Sequence, residues 1–191
     1  MAKIVPAEIC FDVGAPFYEM ISAYSCAISG LESIANPANL MSFKPGDVVT
    51  LLGKVHPQIK ISQLQVHQQF VAGDISAPHT TNSLACMLLT TAYAAVEKEN
   101  DRSSEFEFFR HLRNAASHGN RFSFANREPV RPASWRGLAI AESHVGSSNP
   151  LHGVECIGNF LGGADVILLL WDIEQKLHVG ARGMHKLRTS K

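Results

Sequence analysis

Side chains that could act in catalysis are concentrated in the segment 108–122, whose sequence is FFRHLRNAASHGNRF. On a helix, residues four apart share one face, and residues three apart lie on a neighbouring ridge. Two such ridges would carry Arg110, Asn114 and His118 on one and Arg113 and Ser117 on the other. An imidazole can deprotonate a ribose 2′-hydroxyl, and a guanidinium can stabilise the phosphorane-like transition state. The set therefore predicts metal-independent cleavage of RNA, because only RNA carries the internal nucleophile.

Arg113 and His118 hold the two most informative positions. Arg113 follows Phe106 by seven residues and so lies on the apolar stripe of the predicted helix. No acidic residue lies one turn away, so an acid from another helix or an external anion must pair with the guanidinium. Asp165 and Asp172, on the last predicted helix, are candidates for an internal partner. His118 lies at the predicted helix end, where the helix dipole is expected to raise its pKa.

The same residues also fit a less specific interpretation. An Arg–Ser–His set at a helix end is typical of a solvent-facing cap, where basic side chains are favoured in any case. Under the catalytic interpretation, Arg110, Ser117 and Arg121 are expected to bind substrate. His111 is expected on the helix surface, and Trp135 is expected to anchor a hairpin to the helices.

Four segments have the apolar periodicity of helices. They run over about 16–36, 80–99, 104–118 and 164–178. The segment 58–70 alternates at first and then steps helically, and it is assigned to a further helix. Residues 37–57 indicate a loop with a short extended piece, and W-R-G-L-A-I at 135–140 favours a short hairpin.

The string R-N-A-A-S-H, Arg113 to His118, resembles the signature of the HEPN superfamily. That signature is an arginine, four to six further residues and a histidine, with a polar residue after the arginine, here Asn114. The resemblance implies homodimers in which two motifs face each other across the two-fold axis. It also implies a metal-independent endoribonuclease that leaves 2′,3′-cyclic phosphate ends, in a toxin–antitoxin or defence context. Arg113 would bind phosphate, Asn114 would orient the histidine one turn away, and His118 would be catalytic.

The expected architecture is a single HEPN-like domain over 1–191. It is an all-α, up-and-down bundle of four to five helices, with a small β-hairpin or irregular insertion over about 120–163 and a basic tail over about 179–191. The expected partners are RNA, a second copy, and an antitoxin or another regulatory protein. One alternative is a non-catalytic HEPN module that binds RNA, a nucleotide or a protein. Another is a helical dimerisation protein without a role in nucleic-acid chemistry.

Composition limits the other possibilities. The 191 residues are 46% hydrophobic and 18% charged, which is typical of a globular chain. The net charge is zero, but the first 101 residues carry five basic and nine acidic side chains, whereas the rest carry twelve and eight. The four cysteines and nine histidines show no metal-ligand spacing, so neither a metal nor another cofactor is expected. No signal peptide or membrane-spanning run is predicted, which favours a cytoplasmic protein.

Overall fold

The computed structural model describes residues 9–55, 57–141 and 143–188, with the side chains of these residues except 40, 41 and 178–188. The helices are α1 (Tyr18–Ala35), α2 (Gln63–Ala72), α3 (Ala77–Val96), α4 (Ser104–Ser117) and α5 (Gly163–Arg188). The strands are β1 (Val48–Leu52), β2 (Gln58–Ser62), β3 (Ala133–Trp135) and β4 (Leu138–Ile140). The chain divides into two compact units, the central unit Tyr24–Leu84 and the outer unit formed by Met1–Ala23 with Ala85–Lys191.

The prediction of an all-α fold is wrong, because the chain contains two antiparallel sheets of two strands each. One pairs β1 with β2, and the other pairs β3 with β4. The alternation at Ile59 and Ile61 marks β2, and not the start of a helix as the sequence suggested. The following helix, α2, begins only at Gln63, where Ser62 caps it by accepting a hydrogen bond from the backbone N–H of Gln65 at 3.3 Å.

The central unit has a small interior around His67. This side chain is fully buried, and its Nδ1 lies 2.7 Å from the backbone oxygen of Ile34. The ring of Phe43 packs on the imidazole with 5.0 Å between centroids. α2 ends at Gly73, whose φ of +82° is a left-handed conformation that an L side chain adopts only with strain.

The outer unit is built around α4, which is buried on most of its sides. Its fully buried or nearly buried residues are Phe106, Glu107, Phe108, Phe109, His111, Leu112 and Ala115. The ring of Phe108 lies 6.0 Å from that of Trp135 on β3 and 6.0 Å from that of Phe160. Trp135 Nε1 donates to Asp172 of α5 at 2.8 Å. The β3–β4 hairpin is thereby held against α4 by ring packing and bonded to α5 by Trp135.

The segment between α4 and α5 is ordered by hydrogen bonds that link its two ends. The side chain of Asn120 donates to the backbone oxygen of Ile157 at 2.8 Å and accepts from the backbone N–H of Ile157 at 2.8 Å. Phe122 N–H donates to Val154 O at 3.0 Å, and Gly153 N–H returns a bond to Phe122 O at 2.8 Å. The short hairpin predicted within this segment is β3–β4.

The last helix is longer than predicted. α5 continues to Arg188, so the backbone of 179–188 is helical where the sequence indicated a basic tail beyond the last helix, and 189–191 lie outside the described residues. Among the described helices, none combines the length and the apolar character that crossing a membrane requires.

Candidate functional site

α4 ends at the residues that the sequence singled out. Ser103 caps its first turn by accepting from the backbone N–H of Phe106 at 3.4 Å, and Glu105 and Glu107 lie where the helix dipole favours acids. The helix ends at His118, whose backbone N–H donates to the oxygens of Asn114 and Ala115. The C-terminal turn is therefore anchored by a helix whose other turns are packed in the core.

Arg113 is half-buried on the side of α4 that faces α3. Its guanidinium carbon lies 5.4 Å from the centroid of the Tyr93 ring, which is a cation–π distance. Its Nη1 donates to the side-chain oxygen of Asn114 at 3.1 Å, and its Nε is buried without a hydrogen-bond partner. Among the described residues, a neutral ring and a neutral amide thus hold the guanidinium.

The acidic partners that the sequence offered for Arg113 are engaged elsewhere. Asp172 accepts from Trp135 and forms an ion pair with Arg136 at 2.6 Å. Asp165 accepts from the backbone N–H of Gly162 at 2.8 Å. Among the side chains that the structure describes, no carboxylate forms an ion pair with Arg113. An external anion is the other alternative that the sequence offered for this charge.

His118 and Ser117 lie on the exposed end of the helix. The imidazole of His118 is exposed to solvent, and Gly119 follows it with a φ of +72° that turns the chain away. The amide oxygen of Asn114 accepts a hydrogen bond from Arg113, and in the described structure no hydrogen bond joins Asn114 to the His118 side chain. The role of Asn114 in orienting His118 therefore stays a prediction. Ser117 donates its hydroxyl to the backbone oxygen of Arg113 at 2.9 Å.

Arg110 belongs to an internal network and not to the exposed end of the helix. Its Nε donates to Glu107 and its Nη1 donates to Glu128, both at 3.0 Å. Its Nη2 lies 3.0 Å from Nε2 of His111. Because a guanidinium only donates, Nε2 must accept, and the imidazole is neutral. The bond from Arg110 lowers the pKa of Glu128 below its ordinary value, against the opposing effect of burial.

The expectation for His111 is wrong, since this residue is only 2% exposed. Its ring packs against Phe124 with 5.5 Å between centroids. Burial lowers its pKa to about 4, and the neighbouring charge of Arg110 acts in the same direction. His111 is therefore a neutral acceptor inside the network and does not take part in a solvent-facing site.

Beside this network lies an open depression of about 490 Å³ that the sequence did not predict. Its lining residues are Asn100, Arg102, Glu107, Arg110, Glu128, Val130 and Arg131. Arg131 Nη1 lies 3.5 Å from the buried carboxylate of Glu107. Arg102, with a φ of +65°, adopts a left-handed conformation at its rim. The only local signal is the i,i+3 spacing of Glu107 and Arg110, because Glu128 and Arg131 come from a distant part of the chain.

The remaining predicted contact, Arg121, is exposed and lies in the segment after the motif helix. Its Nη1 donates to the backbone oxygen of Gly153 at 2.8 Å, so it braces the turn at that position. No cluster of three His, Cys, Asp or Glu side chains suited to a metal ion occurs in the described ranges. No family model, curated protein or solved structure matches the chain. The resemblance of Arg113–His118 to the HEPN signature therefore stays a prediction.

Proposed function

We propose that the protein is a metal-independent endoribonuclease of the HEPN type, in which Arg113 binds the scissile phosphate and His118 transfers the proton. The observation that carries this proposal is the guanidinium of Arg113, which is half-buried, held by Tyr93 and Asn114, and paired with no described carboxylate. A partly desolvated guanidinium without an acid favours an anionic ligand, since the electrostatic attraction is strengthened away from bulk water.

The proposed reaction uses only groups of the RNA and of the protein. The imidazole of His118 takes the proton of the ribose 2′-hydroxyl, and the 2′-oxygen forms a bond to phosphorus. The bond from phosphorus to the 5′-oxygen breaks, and that oxygen takes a proton from the imidazolium of a second copy. The products are a 2′,3′-cyclic phosphate and a 5′-hydroxyl. Arg113 stabilises the charge that develops on the phosphoryl oxygens.

Further phosphates of a bound strand would lie near the depression beside the first half of α4. Arg102 and Arg131 at its margin retain donors, because Arg131 has one contact at 3.5 Å and Arg102 has no described side-chain partner. Arg110 is less suited to direct contact, since three of its donors are engaged. Its role in the proposal is to hold Glu107 and Glu128 in place.

A specific observation favours the non-catalytic alternative. The imidazole of His118 is exposed, and no hydrogen bond joins it to Arg113 or Asn114 in the described structure. A histidine without an orienting partner suits a module that binds RNA, a nucleotide or a protein through Arg113 alone. The two candidates differ in whether bound RNA is cleaved.

The test is incubation of the protein with a labelled structured RNA in excess EDTA, followed by analysis of the product ends. His118→Ala is expected to lower the cleavage rate by about 10²–10⁴, and Arg113→Ala by about 10²–10³. His144→Ala and Arg127→Ala are matched controls on exposed residues, and they should retain the parent rate. Binding of RNA without cleavage would favour the binding module, and unchanged cleavage by His118→Ala would overturn the assigned role.

A further inference from the structure

A second cavity of the outer unit lies beside Arg113, where α3 packs against α4. Its volume is about 260 Å³, and it is lined by Cys86, Met87, Thr90, Thr91 and Ala116. Thr90 precedes Tyr93 by one turn of α3. Ala116 follows Arg113 by one turn of α4. Because the guanidinium of Arg113 lies over the Tyr93 ring, this cavity, the α3–α4 groove, begins one turn, or about 5 Å, from that group.

The residues that line the α3–α4 groove carry no charge near neutral pH. Burial raises the pKa of the Cys86 thiol to about 11, and the negative charge of Glu155 acts in the same direction. The thioether of Met87 is exposed, and sulfur of this kind makes favourable contacts with aromatic rings. The depression beside the first half of α4 differs, since three arginines and two glutamates line it. The groove therefore suits a neutral ring, whereas the depression suits charged groups.

The two threonines of the groove can offer a ligand only hydrogen-bond acceptors. Thr90 Oγ1 donates to the backbone oxygen of Cys86, and Thr91 Oγ1 donates to that of Met87, both at 2.9 Å. A hydroxyl has one proton to donate and two lone pairs that accept. Because both protons are used within α3, an amino group of a ligand can donate to these oxygens, but a carbonyl oxygen in its place would meet only lone pairs.

We propose that the α3–α4 groove binds one RNA base with an exocyclic amino group, adenine or cytosine, in the nucleotide whose phosphate Arg113 holds. This inference rests on the proposed function, because it takes Arg113 as the phosphate ligand. The groove is smaller than the roughly 300–1,000 Å³ of sites for drug-sized ligands, so it fits a single ring system. Met87 contacts the ring, and Thr90 and Thr91 accept from its amino group. Uracil and hypoxanthine carry an oxygen at that position and bind more weakly.

The double variant Thr90→Val/Thr91→Val tests the two acceptors directly. It removes both oxygens and keeps the branched shape of the side chains, so the preference for an amino-bearing base should disappear. Thr80→Val is the matched control, because Thr80 lies on the same helix, donates to the backbone oxygen of Ser76 at 2.9 Å and does not line the groove. Thr91→Val alone, at an exposed position, should roughly halve the preference and decides the question if the double variant does not fold.

The experiment is fluorescence anisotropy of the full chain with labelled 2′-fluoro uridine hexamers that carry one central adenosine, inosine, cytidine or uridine. These hexamers lack the attacking 2′-hydroxyl, so binding is measured without cleavage. The parent and Thr80→Val should bind the adenosine hexamer about 3–10-fold more tightly than the inosine hexamer, and cytidine should exceed uridine by a similar factor. Arg113→Gln should weaken binding of all four by a common factor. The ratio thus reports the groove, and the absolute affinity reports the phosphate contact.

Several results would overturn the proposal. They are a parent that binds none of the hexamers, equal affinities for adenosine and inosine, a preference that persists in Thr90→Val/Thr91→Val, and a preference that Thr80→Val removes as well. Adenosine monophosphate that binds as tightly as the hexamer would assign the groove to a free nucleotide instead. Equal affinities beside metal-independent cleavage of unmodified RNA would remove the base site and leave the proposed function intact. A preference without cleavage would support the base site and place it in a binding module.

Discussion

Around α4, the side chains of Phe106, Phe108 and Phe109 are at most 1% exposed, whereas the large apolar side chains of β1 and β2 are between 42% and 81% exposed. The strands have the higher share of apolar residues, six of ten, against six of fourteen in α4. They differ in burial, because α4 packs on β3 and α5 within the outer unit, whereas the apolar side chains of the hairpin stay at least 42% exposed. The difference separates a region whose packing can hold a side chain rigidly from a region with little buried support.

The largest expected effect comes from truncating one apolar side chain in each region and comparing the two losses of unfolding free energy. Phe108→Ala removes a buried ring from between Trp135 and Phe160 and should lower the free energy of unfolding by about 3–5 kcal/mol. Ile59→Ala on the hairpin should cost less than about 1 kcal/mol in dilute protein, since that side chain is already 54% exposed. Chemical denaturation followed by tryptophan fluorescence and by circular dichroism measures both. Equal losses would mean that Ile59 of the hairpin is packed as well as Phe108 of α4.

A pH titration sharpens the comparison at the buried network. The pKa of His111 in the folded protein is about 4, below its ordinary value of 6.5. Between these two pH values, the unfolded chain therefore binds a proton at this residue that the folded chain does not bind. Stability is then fully present above about pH 6.5 and falls as the pH drops toward 4, with a slope approaching about 1.4 kcal/mol per pH unit.

The control for this titration is His111→Gln, which keeps an acceptor for Arg110 but cannot titrate. Its free energy of unfolding should be nearly level between pH 6.5 and 4.5, where the parent declines. Below that range both should fall, because the pKa of Glu128 is lowered in the folded state and its protonation weakens the bond to Arg110. A parent and a variant with the same slope would show that His111 is not the titrating group.

The elements that are defined by signals within their own segment could be predicted from the sequence. The cap at Ser103 and the stop at Gly119 mark α4, and its bounds match the prediction closely. The prediction of a helix at β2 is wrong for two reasons. A strand depends on its partner, which lies several residues away across a turn, and the helical spacing of α2 follows β2 directly, so that the two elements look like one helix. Pairing of this kind is decided by tertiary contacts and not by the pattern of one segment.

The same distinction between local signals and tertiary contacts applies to the residues of the candidate site. The positions of Arg113 and His118 near the end of α4 follow from helical geometry alone. The burial of His111 does not, because a helix packed on most sides has no surface face, and one apolar stripe underestimates its burial. The ion pair of Arg110 with Glu128 joins residues far apart in sequence, so no spacing rule could assign it.

The smallest predicted effect compares one helix cap in each region. Ser103 and Ser62 cap α4 and α2 with similar hydrogen bonds of 3.4 and 3.3 Å, so removal of either hydroxyl should cost about 1 kcal/mol locally. Ser103→Ala should weaken amide protection through the whole outer unit, because α4 is the centre of its core. Ser62→Ala should affect only α2 and the hairpin, since the central unit has little interior to transmit the loss. Native-state hydrogen exchange distinguishes the two patterns, and Ser103→Asp and Ser62→Asp, which retain a capping oxygen, should restore protection. Spread of the Ser62→Ala effect into α4 would show that the two units unfold as one cooperative body.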